Sequence, residues 1–386
     1  MKMNKINFKQ LPPLSLYVHI PWCVRKCPYC DFNSHNQKGN LPEDEYITSL
    51  IQDAESALPL IWGRSIQTIF IGGGTPSLFS GAAINRLLTE LRMRFKISPY
   101  AEITLEANPG TVEQNYISEY AHAGVNRISL GVQSFNSQHL QTLGRIHSPQ
   151  ETYLAIDKIK QNFTNFNLDI IYGLPNQTIA EAQADILQAI DCQPTHLSAY
   201  NLTIEPNTQF AKRVPQGLPD DDICYQMQDS IIDILQQHNY QRYETSAYAK
   251  PHHQSQHNRN YWQFGDYLGI GAGAHSKLSF HDRIIRQMRY KHPAEYMQKV
   301  KENAHIQTDQ QIALEEISLE FMMNALRLTD GFANQLFSAT TGLPFGTILP
   351  QLLIAQEQGY LQLTADKIIP TKRGQDFLNN LLEVFM

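Results

Sequence analysis

Along the first 240 residues, short apolar runs alternate with longer stretches whose apolar positions recur every three or four residues. The runs at 14–20, 68–71, 103–107, 127–132, 167–172 and 196–202 are bounded by Gly, Pro or Asn and predict strands. Between them, 43–58, 82–95, 116–123, 151–163 and 180–190 carry the helical period, and 221–238 adds a sixth helix. Six strand-helix units in succession require a parallel sheet with its helices outside. No seventh or eighth unit of that kind follows, so the pattern predicts an α/β fold built on an incomplete (β/α)6 barrel. Residues 241–300 are polar and irregular, hold five of the fourteen histidines between Pro251 and His281, and read as a connecting segment too rich in Tyr, Trp and Gly to be a bare linker. Beyond them a helical pattern resumes at Glu315. The stretch LLIAQEQGYLQLTADKIIPTKRGQDFLNNLL then predicts a helix, a hairpin-like pair and a last helix, a small winged-helix-like module. The expected division is 1–240, 241–300 and 301–386.

Composition narrows the setting. A chain of 386 residues accommodates one large domain and a small one. Five cysteines, three of them crowded into HIPWCVRKCPYCDF, do not form a disulfide framework and point to a reducing compartment. MKMNKINFKQLPP lacks the apolar core of a signal peptide, and no run reaches the roughly 18 apolar residues of a membrane span, so a cytoplasmic location is expected. A formal charge of -6 gives no general attraction for phosphate backbones. The winged module is itself acidic, with five Lys/Arg against ten Asp/Glu from residue 301 onward, which argues against a nucleic-acid partner.

The candidate chemistry begins with Cys23, Cys27 and Cys30, spaced C-x3-C-x2-C just after the first strand. Thiolates hold iron-sulfur clusters, and a cubane normally takes four ligands. Three local thiols leave one iron open to a small chelating molecule, as catalytic metal sites keep a position free. Competing readings are a zinc site completed by His19 or His35, and a redox thiol pair in Cys27-Pro28-Tyr29-Cys30; structural zinc more often closes with two paired half-sites. Cys192 and Cys224 lie in helical stretches and read as buried small residues. In a parallel barrel the C-terminal strand ends carry the chemistry. That rim would hold IGGGTPS after the second strand, Glu106 in LEANPG, Gln133 in GVQSFN, Arg145 in LGRIH and Asp169 in LDIIYGLP. The three glycines allow close backbone approach but lack the Lys of a phosphate loop. The polar groups together can surround an amino acid and a ribose.

HIPWCVRKCPYC, FIGGGTP, LEANPG, GVQSFN, DIIYGLP, HNRNYW and GIGAGAHS, in that order, resemble the HemW family of haem chaperones. These are radical S-adenosylmethionine (SAM) proteins related to oxygen-independent coproporphyrinogen III oxidase. The resemblance implies a [4Fe-4S] cluster on Cys23, Cys27 and Cys30, and SAM against Tyr17, Tyr29, Gly73, Gly74, Thr75, Glu106, Gln133, Arg145 and Asp169. It implies haem at HNRNYW, with His257 as axial ligand and Tyr261 and Trp262 as flat faces; residue types alone favour a packed aromatic corner with a satisfied histidine. His252, His253 and His275 are the next ligand candidates. His253 and His257 are four apart, as zinc ligands on a helix would be, but no Glu accompanies them as in H-E-x-x-H. Two departures separate the chain from the oxidases: their motif continues to a fourth cysteine where Phe32 stands, and they carry a longer N-terminal extension. The implied function is binding haem and passing it to client haemoproteins, which admits peripheral contact with membrane-bound clients and a homodimer. The alternative is an enzyme that splits SAM reductively and abstracts hydrogen from a porphyrinogen.

Overall fold

Leu14, Leu16, Val18 and Ile20 are buried on one face of the first strand, and Ser15, Tyr17 and His19 alternate with them on the other. The period of two repeats in the strands that follow, so that one sheet face is apolar and covered by helices while the other, the barrel interior, is polar. The computed structural model describes residues 5–111 and 116–386; the first four residues of the N-terminal stretch and 112–115 lie outside it. Within it the parallel strands are β1 (Leu14–Ile20), β2 (Ile66–Gly73), β3 (Ile97–Ala107), β4 (Arg127–Gln133), β5 (Phe166–Tyr172) and β6 (His196–Asn201), each paired parallel with the next, with register shifts in the β1–β2, β2–β3 and β4–β5 pairs. Helices Glu43–Ile61, Gly81–Arg94, Tyr116–Ala123, Pro149–Asn162, Ile179–Asp191 and Asp221–Gln237 connect or follow them. Ser148 and Thr178 close capping boxes with Glu151 and Glu181, which fixes two of the helix starts. The first helix runs through Pro59 to Ile61, beyond the expected end at 58, because Ala57 and Ile61 remain buried against the core.

The segment 241–300 is not a connector. It supplies β7 (Gln241–Arg242), β8 (Ala247–Ala249), β9 (Asp266–Ile270), β10 (His275–Phe280) and β11 (Arg283–Arg289), and β12 (Ile306–Gln311) follows. All join one twelve-stranded sheet in the order β12-β11-β10-β9-β1-β2-β3-β4-β5-β6-β8-β7. β9 lies parallel to β1 on the side away from β2, a seventh parallel strand without a helical unit of its own. The strands are short, and β11 reads as polar because Arg286 and Arg289 find their partners far along the chain, at Glu320 and the buried Asp53.

A second core, built on Phe321, Phe337, Leu352 and Ile368, holds the C-terminal module together and also takes in Ile6, Phe8, Phe264 and Ile284. The module contains helices Leu314–Ala325, Asn334–Thr341 and Leu349–Glu357 and a three-stranded sheet of Phe332–Ala333, Leu361–Leu363 and Lys367–Pro370. The expected helix, hairpin and final helical turns are therefore present. Among the described residues no helix is long and apolar enough to cross a membrane.

Candidate functional site

The cysteine loop leaves the C-terminal end of β1 and is railed along the glycine turn that ends β2. Gly74 donates its N–H to Ile20 O at 2.8 Å and Thr75 to Trp22 O at 2.7 Å, so the β1–β2 pairing continues into the loop. A Cβ on Gly74 would meet Trp22 O at 2.5 Å. This glycine is therefore required by the backbone next to Cys23. The far side of the loop is tied by a two-residue pairing of Trp22–Cys23 with His35–Asn36. Lys26 Nζ crosses the interior of the loop to Phe32 O at 2.8 Å and Ser34 O at 3.4 Å.

The three thiols are free. Cys30 Sγ lies 3.8 Å from Ser34 Oγ, and Arg145 Nη1 donates to Cys27 Sγ at 3.6 Å. Burial pushes the Cys23 and Cys30 thiols up, against hydrogen bonds from Thr75 and Ser34 that favour the thiolate. Such thiols need a cation to ionise fully, and a coordinating metal centre supplies it. Among the described residues no three His, Cys, Asp or Glu side chains converge on one metal-ion position. A cubane spreads its thiolates over separate iron atoms, so its ligands need not converge in that way. Both His19 nitrogens are engaged, with Tyr17 Oη at 2.9 Å and Asn33 O at 2.9 Å, and His35 Nε2 faces Asn33 Oδ1 at 3.2 Å. The zinc reading built on either histidine thus lacks a free ligand on His19 and a free Nε2 on His35.

The expected rim is assembled on the same end of the barrel. Gly73, at φ +123°, donates its N–H to Glu106 Oε2 at 3.0 Å. Burial, with Asp169 on the barrel interior as the second cause, pushes the Glu106 carboxyl up to about 8. Asp169 accepts from Asn167 Nδ2 at 2.8 Å and Ser129 Oγ at 3.1 Å; burial raises its pKa despite these bonds. Gln133 ends β4 at φ +71°, a left-handed backbone that costs a side-chain-bearing residue energy and re-aims it at a sheet irregularity. The Arg145 guanidinium is buried behind the loop, giving Nη2 to Gly131 O at 2.8 Å, while its Nε has no partner among the described residues. A cleft lined by Val24, Cys27, Thr75, Asn108, Arg145 and Ile146 opens here. Its lining, the Arg145 guanidinium with an unspent N–H, the Thr75 hydroxyl and Asn108 beside the Cys27 thiol, fits a polar chelating ligand next to a cluster. Tyr29 packs against Leu143, Ile171 and Leu174, and Tyr17 stacks on Phe70 while holding His19, so both aromatics also have packing roles.

His257 is elsewhere. Helix Gln256–Trp262 closes the N-terminal end of the barrel, and its first N–H groups, from Gln256 and His257, reach Glu102 at 3.2 and 3.1 Å. The imidazole is 1% exposed, with Nδ1 at 2.7 Å from Thr68 Oγ1 and Nε2 at 3.2 Å from Tyr261 Oη. Burial, aided by Arg127, lowers its pKa to about 3. In this conformation neither ring nitrogen faces solvent. Ser15, which bonds Thr68, and His19, which bonds the cysteine loop, are four residues apart on β1, so the two anchor points are roughly 13 Å apart along the strand. Trp262 lies under the Arg327 guanidinium at 4.4 Å, and a cavity of about 130 Å³ opens beside it, lined by Tyr261, Tyr267, Lys277 and Arg286 among others. His253 precedes the helix, whose cap is Ser255, so the pair with His257 is not on one helical face. His275 and His252 are exposed.

Sequence reasoning missed Asn33, Ser34 and Lys26, which hold the loop from inside. Their only signal was proximity to the cysteines.

Residues 17–189 match the Radical SAM superfamily, and residues 312–377 match the HemN C-terminal domain. The chain is 50% identical to the heme chaperone HemW of Escherichia coli (strain K12) over 98% of this chain and 99% of that one. It is 48% identical to the heme chaperone HemW of Haemophilus influenzae over the same shares. Its fold is that of the Escherichia coli coproporphyrinogen III oxidase HemN, with a TM-score of 0.82 and 24% identity over 99% of this chain and 94% of that one. With near-full-length identity of this order and the cysteine, glycine-turn and HNRNYW segments in place, the chain belongs to the HemW family of radical SAM proteins.

Proposed function

We propose that this protein binds haem and passes it to client haemoproteins, and that it carries a [4Fe-4S] cluster on Cys23, Cys27 and Cys30 with SAM bound beside it. The observation that carries the reading is the rim itself: three free thiols on a loop railed by Gly74 and Thr75, with Arg145 against Cys27 and Glu106, at the end of β3, bonded to the Gly73 N–H. When bound, the cluster supplies an open iron for chelation and a one-electron couple. The chain's own residues orient the ligand. Arg145 offers its unspent N–H to an anionic or hydroxyl group, and Glu106, protonated in the free site, can ionise to receive an ammonium. Thr75 and Asn108 line the cleft with Arg145. Phe32, 63% exposed where the oxidase pattern has a fourth cysteine, supports the chaperone over porphyrinogen oxidation.

Haem is proposed to dock at the helix bearing HNRNYW. The adjoining cavity of about 130 Å³ is below the roughly 300–1,000 Å³ of a usual ligand pocket. Uptake therefore requires the helix to move, and His257 becomes a ligand only by releasing Thr68 from Nδ1 or Tyr261 from Nε2. Anaerobic reconstitution with iron and sulfide, followed by haem titration with and without SAM and transfer to an apo-haemoprotein, tests the whole reading. Transfer without decarboxylation of coproporphyrinogen is expected. Formation of protoporphyrinogen would replace the chaperone with the oxidase.

A further inference from the structure

The stretch GIGAGAHS has no part in the reading above, yet it turns directly beneath the cysteine loop. Asn33, three residues after Cys30, donates from Nδ2 to Ala272 O at 2.9 Å and to Lys291 O at 2.9 Å. Its Oδ1 faces His35 Nε2 at 3.2 Å and its main-chain O faces His19 Nε2 at 2.9 Å. A primary amide is suited to this position because it offers two donors and an acceptor in one plane. Gly273 leaves the room: at φ +76° its backbone already disfavours a side chain, and a Cβ there would come to 2.3 Å from Asn33 Nδ2. That nitrogen is held by two carbonyls and has nowhere to move.

The turn is in turn anchored from behind. Gly271 donates its N–H to Asp53 Oδ2 at 3.0 Å, and Ala272 donates to Tyr46 Oη at 2.9 Å. The same tyrosine hydroxyl donates to His19 O at 2.8 Å. Asp53 is wholly buried and receives Tyr296 Oη at 2.8 Å and Arg289 Nη2 at 3.1 Å. A rigid platform thus stands under a loop that has almost no regular secondary structure of its own.

We infer that the Gly271–Ala274 turn is the seat of the cysteine loop and that Asn33 is a positioning residue, fixing where the three thiols are presented. The inference rests on the reading that these thiols hold a cluster, and it assigns a role to residues that touch neither cluster nor SAM. Since the loop cannot hold its shape by backbone pairing alone, loss of the two amide donors should loosen the thiols without removing any of them.

The decisive comparison is wild type against Asn33→Asp, which keeps size and acceptor but cannot donate to the two carbonyls. Asn33→Ala and Gly273→Ala accompany it. After anaerobic reconstitution, with folding verified by circular dichroism, the variants should release iron to a chelator about tenfold faster than wild type and show altered electron paramagnetic resonance of the reduced cluster. Release and spectra identical to wild type in both Asn33 variants would overturn the inference, whatever Gly273→Ala does. If wild type itself builds no iron-sulfur chromophore, the cluster reading has failed instead. Hydrogen exchange of the unloaded chain then decides the seat: amides of residues 31–37 must exchange faster in Asn33→Asp, and equal exchange removes it.

Discussion

Glu106 Oε2 accepts the Gly73 N–H at 3.0 Å, which ties the end of β3 to the turn that rails the cysteine loop. Burial and the neighbouring Asp169 hold that carboxyl at about 8, so in the free protein it is mostly protonated at neutral pH. A carboxyl whose pKa is raised in the folded state binds more protons folded than unfolded, so stability falls as pH rises from the ordinary carboxyl range through about 8. Glu106→Gln fixes the neutral form. Its melting temperature should gain on wild type as pH is raised from about 5 to about 9, when both are compared unloaded. A difference independent of pH would show that Glu106 ionises in the usual range.

The same proton gives a binding signature. An ammonium arriving beside Glu106 favours the carboxylate, so SAM binding near neutral pH should release a proton. Titration calorimetry in two buffers of different ionisation enthalpy would read this as a buffer-dependent heat, absent in Glu106→Gln. Equal heats in wild type would place the ligand's amino group elsewhere.

Replacing Cys23, Cys27 or Cys30 by Ala should each abolish the brown iron-sulfur chromophore after reconstitution. Cys192→Ala and Cys224→Ala should keep it. Cys192 is buried at a helix end and burial pushes its thiol up to about 11, while Cys224 lies on the sixth helix of the barrel and its thiol is raised in the same way. A colourless Cys192 or Cys224 variant that remains folded would break the three-cysteine assignment.

The sequence is most legible where one period dominates. The six barrel strands and their helices were readable because β1 to β6 are apolar on their helix-facing side and each is followed by an amphipathic helix. β9 to β12 were not, since their polar residues are satisfied across long separations: Lys277 and Arg64 share Asp266, and Arg289 meets Asp53. No local pattern announces such pairs. The rim residues Glu106 and Thr75 lie where strand ends should put them, while Arg145 reaches the rim from the loop after a short helix, Ser137–Thr142, that follows β4. His257 is the contrary case, because HNRNYW shows an imidazole and two aromatics but not the Thr68 hydroxyl that waits for them inside the barrel.

Gly74→Val separates two views of the glycine turn. If Gly74 only admits ligand, the valine variant should lose SAM affinity and keep its cluster. The structure places Trp22 O at 2.5 Å from the added Cβ, with Trp22 C and Pro21 C close behind, so the loop carrying Cys23 must shift. Loss of both cluster retention and SAM binding is therefore expected, together with destabilisation of about 1–3 kcal/mol from overpacking. Absorption after reconstitution and denaturant unfolding measure the two effects. A fully loaded cluster in this variant would mean that the loop yields without cost.

His257 can be tested as a ligand apart from its structural role. His257→Ala leaves the Thr68 and Tyr261 hydroxyls without their shared partner in a buried site, and should destabilise the protein by roughly 2–4 kcal/mol even without haem. Weaker haem uptake in that variant would thus be ambiguous alone. Thr68→Val resolves it, since it removes the bond to Nδ1 and leaves the imidazole in place. If His257 must leave Thr68 to reach iron, Thr68→Val should take up haem faster than wild type while His257→Ala shows a lost or shifted Soret band, and both should keep the cluster, because the cysteine loop lies at the opposite end of β1. Haem binding unchanged in both variants would leave His257 as a structural residue of the barrel floor and move the ligand search to His252, His253 and His275, of which His252 and His275 are exposed.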